Sequence, residues 1–214
     1  MLCPGSLWLL LVSLSTTTAA PVSSPLVKRA SLPTAISAST AKIYLENITI
    51  ADPFVDDPQY DRDAFNAWIT IEGNCNTREY VLRRDGEDVS YGANCYPTSG
   101  TWYSPYDGAT WTDPTDVDID HMVPLKEAWI SGAWDWSDST REAFANDVTR
   151  PQLFAVTDNE NQSKGASDLA EYLPPLEDFQ CYYVRSWVEV KYFYALAMDQ
   201  AEWDVALEVL ETRC

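Results

Sequence analysis

The chain of 214 residues has one histidine, His121. Mechanisms that need two histidines, such as a His-rich zinc site or a histidine pair acting as acid and base, are therefore excluded. Positive charge is also scarce, because 14 Lys and Arg stand against 33 Asp and Glu and the formal net charge is −19. This balance excludes a histone-like DNA binder, which relies on clustered cations. It leaves open a nucleic-acid enzyme in which a bound metal ion supplies positive charge at one site.

Long apolar runs are lacking too, and the one candidate, centred on Leu7–Leu14, is too short to span a bilayer. With small residues following it, this run predicts a secretory signal peptide over residues 1–20. Residues 21–40 are rich in Ser, Thr, Pro and Ala and predict a pro-segment or linker, with cleavage after the dibasic pair that ends at Arg29. Two unrelated basic residues are the alternative. We therefore expect a secreted, extracellular protein, free of the membrane, with its folded domain at 41–214.

Four cysteines remain once Cys3 leaves with the signal peptide. An even number in an exported chain predicts two disulfides, for which three connectivities are possible. We expect Cys75–Cys95 and Cys181–Cys214, because each pair closes a local unit. A zinc site is the alternative, but the sequence has no C-x-x-C spacing.

The order of sequence patterns predicts one α+β domain. Gly, Pro and aromatic residues over 92–112 indicate short strands and turns, and Leu153–Val156 reads as a short buried strand. Apolar residues at helical spacing over Val184–Leu210 indicate two packed helices, interrupted near Asp199. Further helical segments are expected at 41–50, in two short pieces around the loop 73–76, at 125–134 and at 140–145.

The segment DVDIDHMVPL, residues 116–125, carries the sharpest chemical signal. Val117 and Ile119 alternate with aspartates, which predicts a strand with acidic side chains on one face. At its end, Asp120 and His121 place a hard oxygen ligand beside an imidazole that can accept a proton from water. This pairing indicates metal-assisted hydrolysis. A lone histidine in an acidic loop, without a chemical role, is the alternative.

Further short motifs accompany this segment in a fixed order along the chain. They are NCNTR at 74–78, FAND at 144–147, PQLFAV at 151–156, NQSKG at 161–165 and PP at 174–175. Together they resemble the secreted microbial branch of the HNH endonuclease family, over roughly residues 60–214. The resemblance implies a small disulfide-bonded α+β domain built on a ββα-metal motif with flanking helices.

The resemblance also implies roles for individual residues. His121 matches the general base, and Asp120 and Asn161 match the ligands of one divalent metal ion, with Mg²⁺ expected before Mn²⁺ or Zn²⁺. Asn146 matches the asparagine that holds the histidine-bearing loop in place. Lys164 lies within the catalytic motif, where buttressing or a phosphate contact is expected of it.

One departure from the family pattern is Ala166, at a position where the family commonly has Asp. Asp118 and Asp168 are the candidate buttresses of the site, and Asp168 could replace the missing carboxylate. A basic cluster upstream is the candidate phosphate contact, although a helix face paired with local acids explains it equally well. The cluster consists of Arg78, Arg83 and Arg84.

These features predict a secreted, monomeric, metal-dependent endonuclease that cuts DNA or RNA with low sequence specificity. The alternative is a non-catalytic secreted binding protein on a decayed nuclease scaffold. A carbohydrate-active enzyme is suggested only by the abundance of acids and aromatics. Asn47 begins a glycosylation sequon and is expected to carry a glycan. Asn161 also begins a sequon, but a metal ligand inside a site cannot carry one.

Overall fold

The computed structural model describes Met1 and residues 32–51 and 56–214, and these form a mixed α and β structure. The expected signal peptide and the dibasic pair lie outside the described residues. In chain order the helices and strands are α1 (Ala38–Leu45), β1 (Thr70–Glu72), β2 (Cys75–Asn76), α2 (Thr77–Asp85), β3 (Gly86–Tyr91), β4 (Pro97–Tyr103), β5 (Thr110–Trp111), β6 (Val117–His121), α3 (Leu125–Ile130), α4 (Asp138–Ala145), β7 (Leu153–Thr157), α5 (Asp158–Lys164), α6 (Glu177–Phe193) and α7 (Gln200–Thr212).

Strands β6 and β7 form an antiparallel pair in regular register, from Val117 opposite Thr157 to His121 opposite Leu153. Every residue of β7 is buried, because the pair lies between two apolar clusters. Leu153 and Ala155 pack with helix α2, whereas the alternate residues Phe154 and Val156 belong to the larger core. Both expected strands are therefore confirmed, and α5 follows β7 without a loop.

The larger core lies among the helices, where α6 packs against α1 and α7. Asp199 ends the connection between α6 and α7 by accepting a hydrogen bond from the backbone N–H of Glu202 at 2.8 Å, which caps the N-terminus of α7. The interruption expected near Asp199 is thus confirmed, and α6 begins earlier than the pattern indicated, at Glu177. None of the helices described here is long and apolar enough to cross a membrane.

Two disulfides close the units that the sequence indicated, Cys75–Cys95 and Cys181–Cys214. The first ties strand β2 to the turn between β3 and β4, and the second ties the C-terminus to α6. With separations of 20 and 33 residues, each stabilises the fold by about 3–4 kcal/mol in the chain-entropy model.

The stretch before α2 differs from the sequence-based expectation. Instead of two short helical pieces, a 3₁₀ turn at Asp63–Phe65 is followed by the hairpin of β1 and β2, and then by one helix. The helix starts at Thr77 because Asn76 and Glu79 form a reciprocal capping box. The hairpin was missed because its strands have only three and two residues, too few to show a period.

The packed structure also begins earlier than residue 41. Leu32 and Ile36 pack against the larger core, and the backbone N–H of Ile36 donates to Glu189 at 3.0 Å. Arg185 donates to the carbonyl of Ile36 at 3.2 Å. The composition, rich in Ser, Thr and Pro, predicted a linker, but residues of α6 hydrogen-bond to this segment and hold it against the core. Helix α1 then runs over Ala38–Leu45 instead of 41–50.

Candidate active site

A pocket of about 300 Å³ opens at the C-terminal end of strand β6. It brings together three of the residues singled out from the sequence, Asp120, His121 and Asn161. Two cations that the sequence analysis did not select, Arg62 and Lys126, line the same pocket. The pocket therefore combines an imidazole, an amide, a carboxylate and positive charge within one small volume.

The His121 ring is buried, at 6% exposed, and its Nε2 lies 2.9 Å from the backbone carbonyl of Ala145. A carbonyl oxygen only accepts hydrogen bonds, so Nε2 carries the hydrogen and Nδ1 keeps a lone pair. No group in the described part of the chain hydrogen-bonds to Nδ1. Burial lowers the pKa of His121 to about 4, and the charges of Arg62 and Lys164 act in the same direction. The ring is thus a neutral imidazole near pH 7, with Nδ1 as its acceptor.

Asn146 follows Ala145 and connects the histidine's partner to the segment before β1. Its Oδ1 accepts hydrogen bonds from the backbone N–H groups of Trp68 and Ile69, at 2.9 and 3.2 Å, and from the Thr77 hydroxyl at 2.7 Å. Its Nδ2 donates to the carbonyl of Asn66 at 3.1 Å. The side chain is therefore fully used inside the protein.

The segment that Asn146 holds has an unusual backbone. Asn66 and Trp68 have φ angles of 43° and 67°, in the left-handed region that a bulky residue rarely adopts. Such a conformation persists only where surrounding bonds impose it. It places the Trp68 ring 5.3 Å from the His121 ring, centroid to centroid. Asn146 thus acts as a positioning residue that fixes one wall beside the imidazole.

Asp120 is held by two neighbours. Lys164 Nζ lies 2.9 and 2.8 Å from its two carboxylate oxygens, and the Tyr106 hydroxyl donates to Oδ2 at 2.5 Å. The third ammonium hydrogen bond goes to the backbone carbonyl of His121 at 2.8 Å. Because Lys164 is completely buried and has all three donors engaged, it buttresses the strand end and leaves no donor for a phosphate.

Burial is the largest influence on the pKa values of both Asp120 and Lys164. It raises the pKa of Asp120 and lowers the pKa of Lys164, and the mutual attraction of the two groups opposes both shifts. Asp120 and His121 are consecutive in a strand, so their side chains leave on opposite faces. Their partners reflect this, with Lys164 on one side and Trp68 on the other.

The expected metal ligands can be tested against these contacts. Asn161 lines the pocket, donates through Nδ2 to Asp118 at 3.1 Å, and keeps its Oδ1 free of hydrogen bonds within the described residues. Asp120 Oδ1 has Lys164 as its one partner, so a lone pair remains. The described residues contain no group of three or more His, Cys, Asp or Glu able to hold a metal ion. This donor set fits Mg²⁺, which keeps several waters and takes few protein ligands, and it does not fit Zn²⁺.

The arginine cluster lies on helix α2 and does not line the pocket. Arg78 donates to the carbonyl of Val117 at 3.1 Å, and Arg83 pairs with Glu72. Arg84 pairs with Asp85 at 2.6 Å. These side chains tie α2 to the strands, which corresponds to the alternative of a helix face paired with local acids.

The two candidate buttresses, Asp118 and Asp168, have different partners. Asp118 contacts Asn161, as described above, whereas Asp168 accepts from the backbone N–H groups of Ala170 and Glu171, at 2.8 and 3.1 Å. Asp168 thus caps a turn and makes no hydrogen bond to His121 or Asn161 among the described residues. Ala166 lines the pocket itself.

The pocket residues that the sequence analysis missed gave weak signals. Lys126 follows the Pro124-Leu125 end of the motif, where a cation at the start of a helix looks like an ordinary solvated charge. Arg62 lies between two aspartates, which suggests local pairing. Tyr106 sits in a stretch rich in turns and aromatics, with nothing in its spacing to connect it to Asp120.

Residues 54–207 match the family model described as GmrSD restriction endonucleases, C-terminal domain. A protein of Arthroderma benhamiae described as an uncharacterized secreted protein is 50% identical over 195 residues, which make up 91% of this chain and 92% of that protein. No solved structure matches the chain.

Proposed function

Because the chain belongs to the family of GmrSD restriction endonuclease C-terminal domains, we propose that it is an HNH-type nuclease that hydrolyses phosphodiester bonds. The observation that carries the proposal is the hydrogen bond from His121 Nε2 to Ala145. It fixes the tautomer in which Nδ1 can take a proton from water at the pocket. The antiparallel pair β6–β7, followed directly by α5, supports a ββα arrangement around this histidine.

In the proposed reaction, Nδ1 of His121 accepts a proton from a water molecule, and the water oxygen attacks the phosphorus. The bond from phosphorus to the leaving sugar oxygen breaks, and that oxygen takes a proton from solvent. Asp120 and Asn161 would hold Mg²⁺, which stabilises negative charge on phosphate and leaving oxygen when bound. Trp68, held by Asn146, keeps the imidazole in position.

The proposal extends to location and specificity. The protein is secreted, in line with the description of the Arthroderma benhamiae relative, the signal-like N-terminus and two disulfides suited to an oxidising compartment. We propose that it acts as a monomer on DNA or RNA. Its sequence specificity is low in this proposal, because the pocket offers groups for a phosphate and few for reading base edges.

A second candidate is a non-catalytic nucleic-acid-binding protein on the same scaffold. It is favoured by the engagement of Asp120 with Lys164 and by Ala166 in the pocket wall, where a further carboxylate is common in the resembling family.

Incubation of the purified protein with plasmid DNA and with RNA, in Mg²⁺ and in EDTA, separates the two. The nuclease proposal expects cleavage in Mg²⁺, none in EDTA, and a loss of about 10²–10⁴-fold in His121→Ala. Absence of cleavage by the wild-type protein in Mg²⁺ or Mn²⁺, with binding retained, would favour the second candidate. Equal cleavage by His121→Ala would refute the site.

A further inference from the structure

Arg62 and Lys126 are the cations that line the pocket beside His121 and Asn161. The Arg62 side chain is exposed and makes no ion pair within the described residues. Lys126 Nζ lies 3.8 Å from the carboxylate of Asp56, and both side chains are more than a third exposed, at 46% and 37%. An exposed pair at that distance contributes little and can be displaced by another anion.

Most other cations of the described chain are engaged in the fold, in contrast with these two. Several form ion pairs or are buried: Arg83, Arg84, Arg141, Arg150, Lys164 and Lys191. In a chain of formal net charge −19, a polyanion is repelled by the surface as a whole. Positive charge open to a ligand next to the proposed general base is thus concentrated in Arg62 and Lys126.

We propose that Arg62 and Lys126 together bind a backbone phosphate of the nucleic acid in this pocket, and that this contact strengthens the binding of substrate. The inference rests on the proposed function and adds its binding residues. A guanidinium presents two parallel donors that match phosphate oxygens, while an ammonium acts as a mobile point charge. Both groups recognise the phosphate shared by DNA and RNA, so neither distinguishes the two polymers.

The test compares Arg62→Gln and Lys126→Gln with Arg213→Gln, which removes one exposed cation outside the pocket. Cleavage of duplex DNA and of single-stranded RNA is measured for each variant, in parallel arms. Each pocket variant is expected to raise KM by about ten-fold or more, with a smaller change in kcat, because a charge-assisted phosphate contact is lost. Arg213→Gln should leave KM within about two-fold of the wild type, and thermal unfolding should show that all three variants fold.

Binding in the background of His121→Ala provides the second readout. On duplex DNA, the slope of log K against log salt should become shallower by about 0.9 in total when both pocket cations are removed, because one phosphate contact is lost. If the wild-type protein cleaves and both pocket variants cleave with the same KM, the inference is refuted, while the nuclease function is unaffected. If the wild type cleaves neither polymer, the same titration decides: weaker binding in the pocket variants supports the phosphate site without catalysis, and unchanged or absent binding refutes it.

Discussion

The ammonium of Lys164 donates to both carboxylate oxygens of Asp120 and to the backbone carbonyl of His121, at distances between 2.8 and 2.9 Å. One buried side chain on α5 therefore fixes the end of strand β6, where the proposed metal ligand and the proposed base are neighbours. The arrangement gives Lys164 a role in holding the site together and removes it from direct contact with substrate.

Replacing Lys164 by Met should lower the free energy of unfolding by about 3–5 kcal/mol, because Asp120 is left as an uncompensated buried charge. The double variant Lys164→Met with Asp120→Asn removes both charges and should recover part of that loss. Urea unfolding of the single and double variants measures this. A double variant less stable than Lys164→Met alone would contradict the ion pair.

Replacing Asn146 by Ala should destabilise the protein by about 1–3 kcal/mol, since the partly buried backbone N–H groups of Trp68 and Ile69 lose their acceptor. Release of the left-handed segment should also change the tryptophan near-UV circular dichroism and reduce nuclease activity. Asn94→Ala, in an exposed loop, is the matched control and should do neither. Reduced stability without any spectral change would show that the segment from Asn66 to Trp68 keeps its conformation without the Asn146 side chain.

A pH effect on stability is expected from the buried cluster in which Lys191 pairs with Glu127 and Glu202, at 2.6 and 2.8 Å. Burial raises the pKa of Glu202 to about 7, against 4.5 for an ordinary Glu. A carboxyl whose pKa is higher in the folded state binds its proton more tightly there, so it favours folding below about pH 4.5 and loses that contribution as pH rises through 7.

Wild-type stability should therefore fall by on the order of 2 kcal/mol between pH 5 and pH 8 through this group, and Glu202→Gln should reduce the fall. The exposed Glu208→Gln is the control and should follow the wild type. Urea unfolding at the two pH values tests this. A parallel fall in Glu202→Gln would assign the effect to other groups.

Removal of the metal should abolish nuclease activity, and added Mg²⁺ should restore it. Asn161→Ala should raise the Mg²⁺ concentration for half-maximal activity by about ten-fold, because the proposed amide ligand is lost. The comparison is with Asn159→Ala, an exposed residue of the same helix that does not line the pocket. Identical Mg²⁺ curves for the two variants would exclude Asn161 as a ligand.

Glycosylation should distinguish the two sequons. Asn47 is exposed, whereas Asn161 is partly buried, lines the pocket and donates to Asp118. We expect a glycan on Asn47 and none on Asn161 of active protein, as judged by glycopeptide mass spectrometry after expression in a eukaryotic host. A glycan on Asn161 of active protein would refute its place in the site.

Sequence reasoning succeeded where the signal is local. The alternation Val117, Ile119 and the apolar run from Leu153 are complete within single strands, so both strands of the β6–β7 pair could be predicted. The disulfides were predictable for a similar reason, since each closes a short stretch of chain.

It failed where the role of a residue depends on distant partners. For Lys164 the sequence left a buttressing role and a phosphate contact both open, and the choice between them depends on Asp120, which lies 44 residues earlier and accepts two of its hydrogen bonds. Arg78 looked available for phosphate, and the carbonyl of Val117, 39 residues away, takes its guanidinium. Neither periodicity nor spacing records such contacts, so the pocket cations Arg62 and Lys126 emerged only from the fold.

The seating of Leu32 and Ile36 on the helical core bears on how the chain should be shortened. A recombinant fragment starting at Ala41 would lack these side chains. The apolar surface that they cover would be exposed, and the fragment should be prone to aggregation. A proteolytic cut after Arg29 would spare them, since the new amino terminus at Ala30 precedes Leu32 by two residues. Cleavage at the dibasic pair, if it occurs, would therefore leave the packed residues intact, and a recombinant chain starting at Ala30 should be more stable than one starting at Ala41.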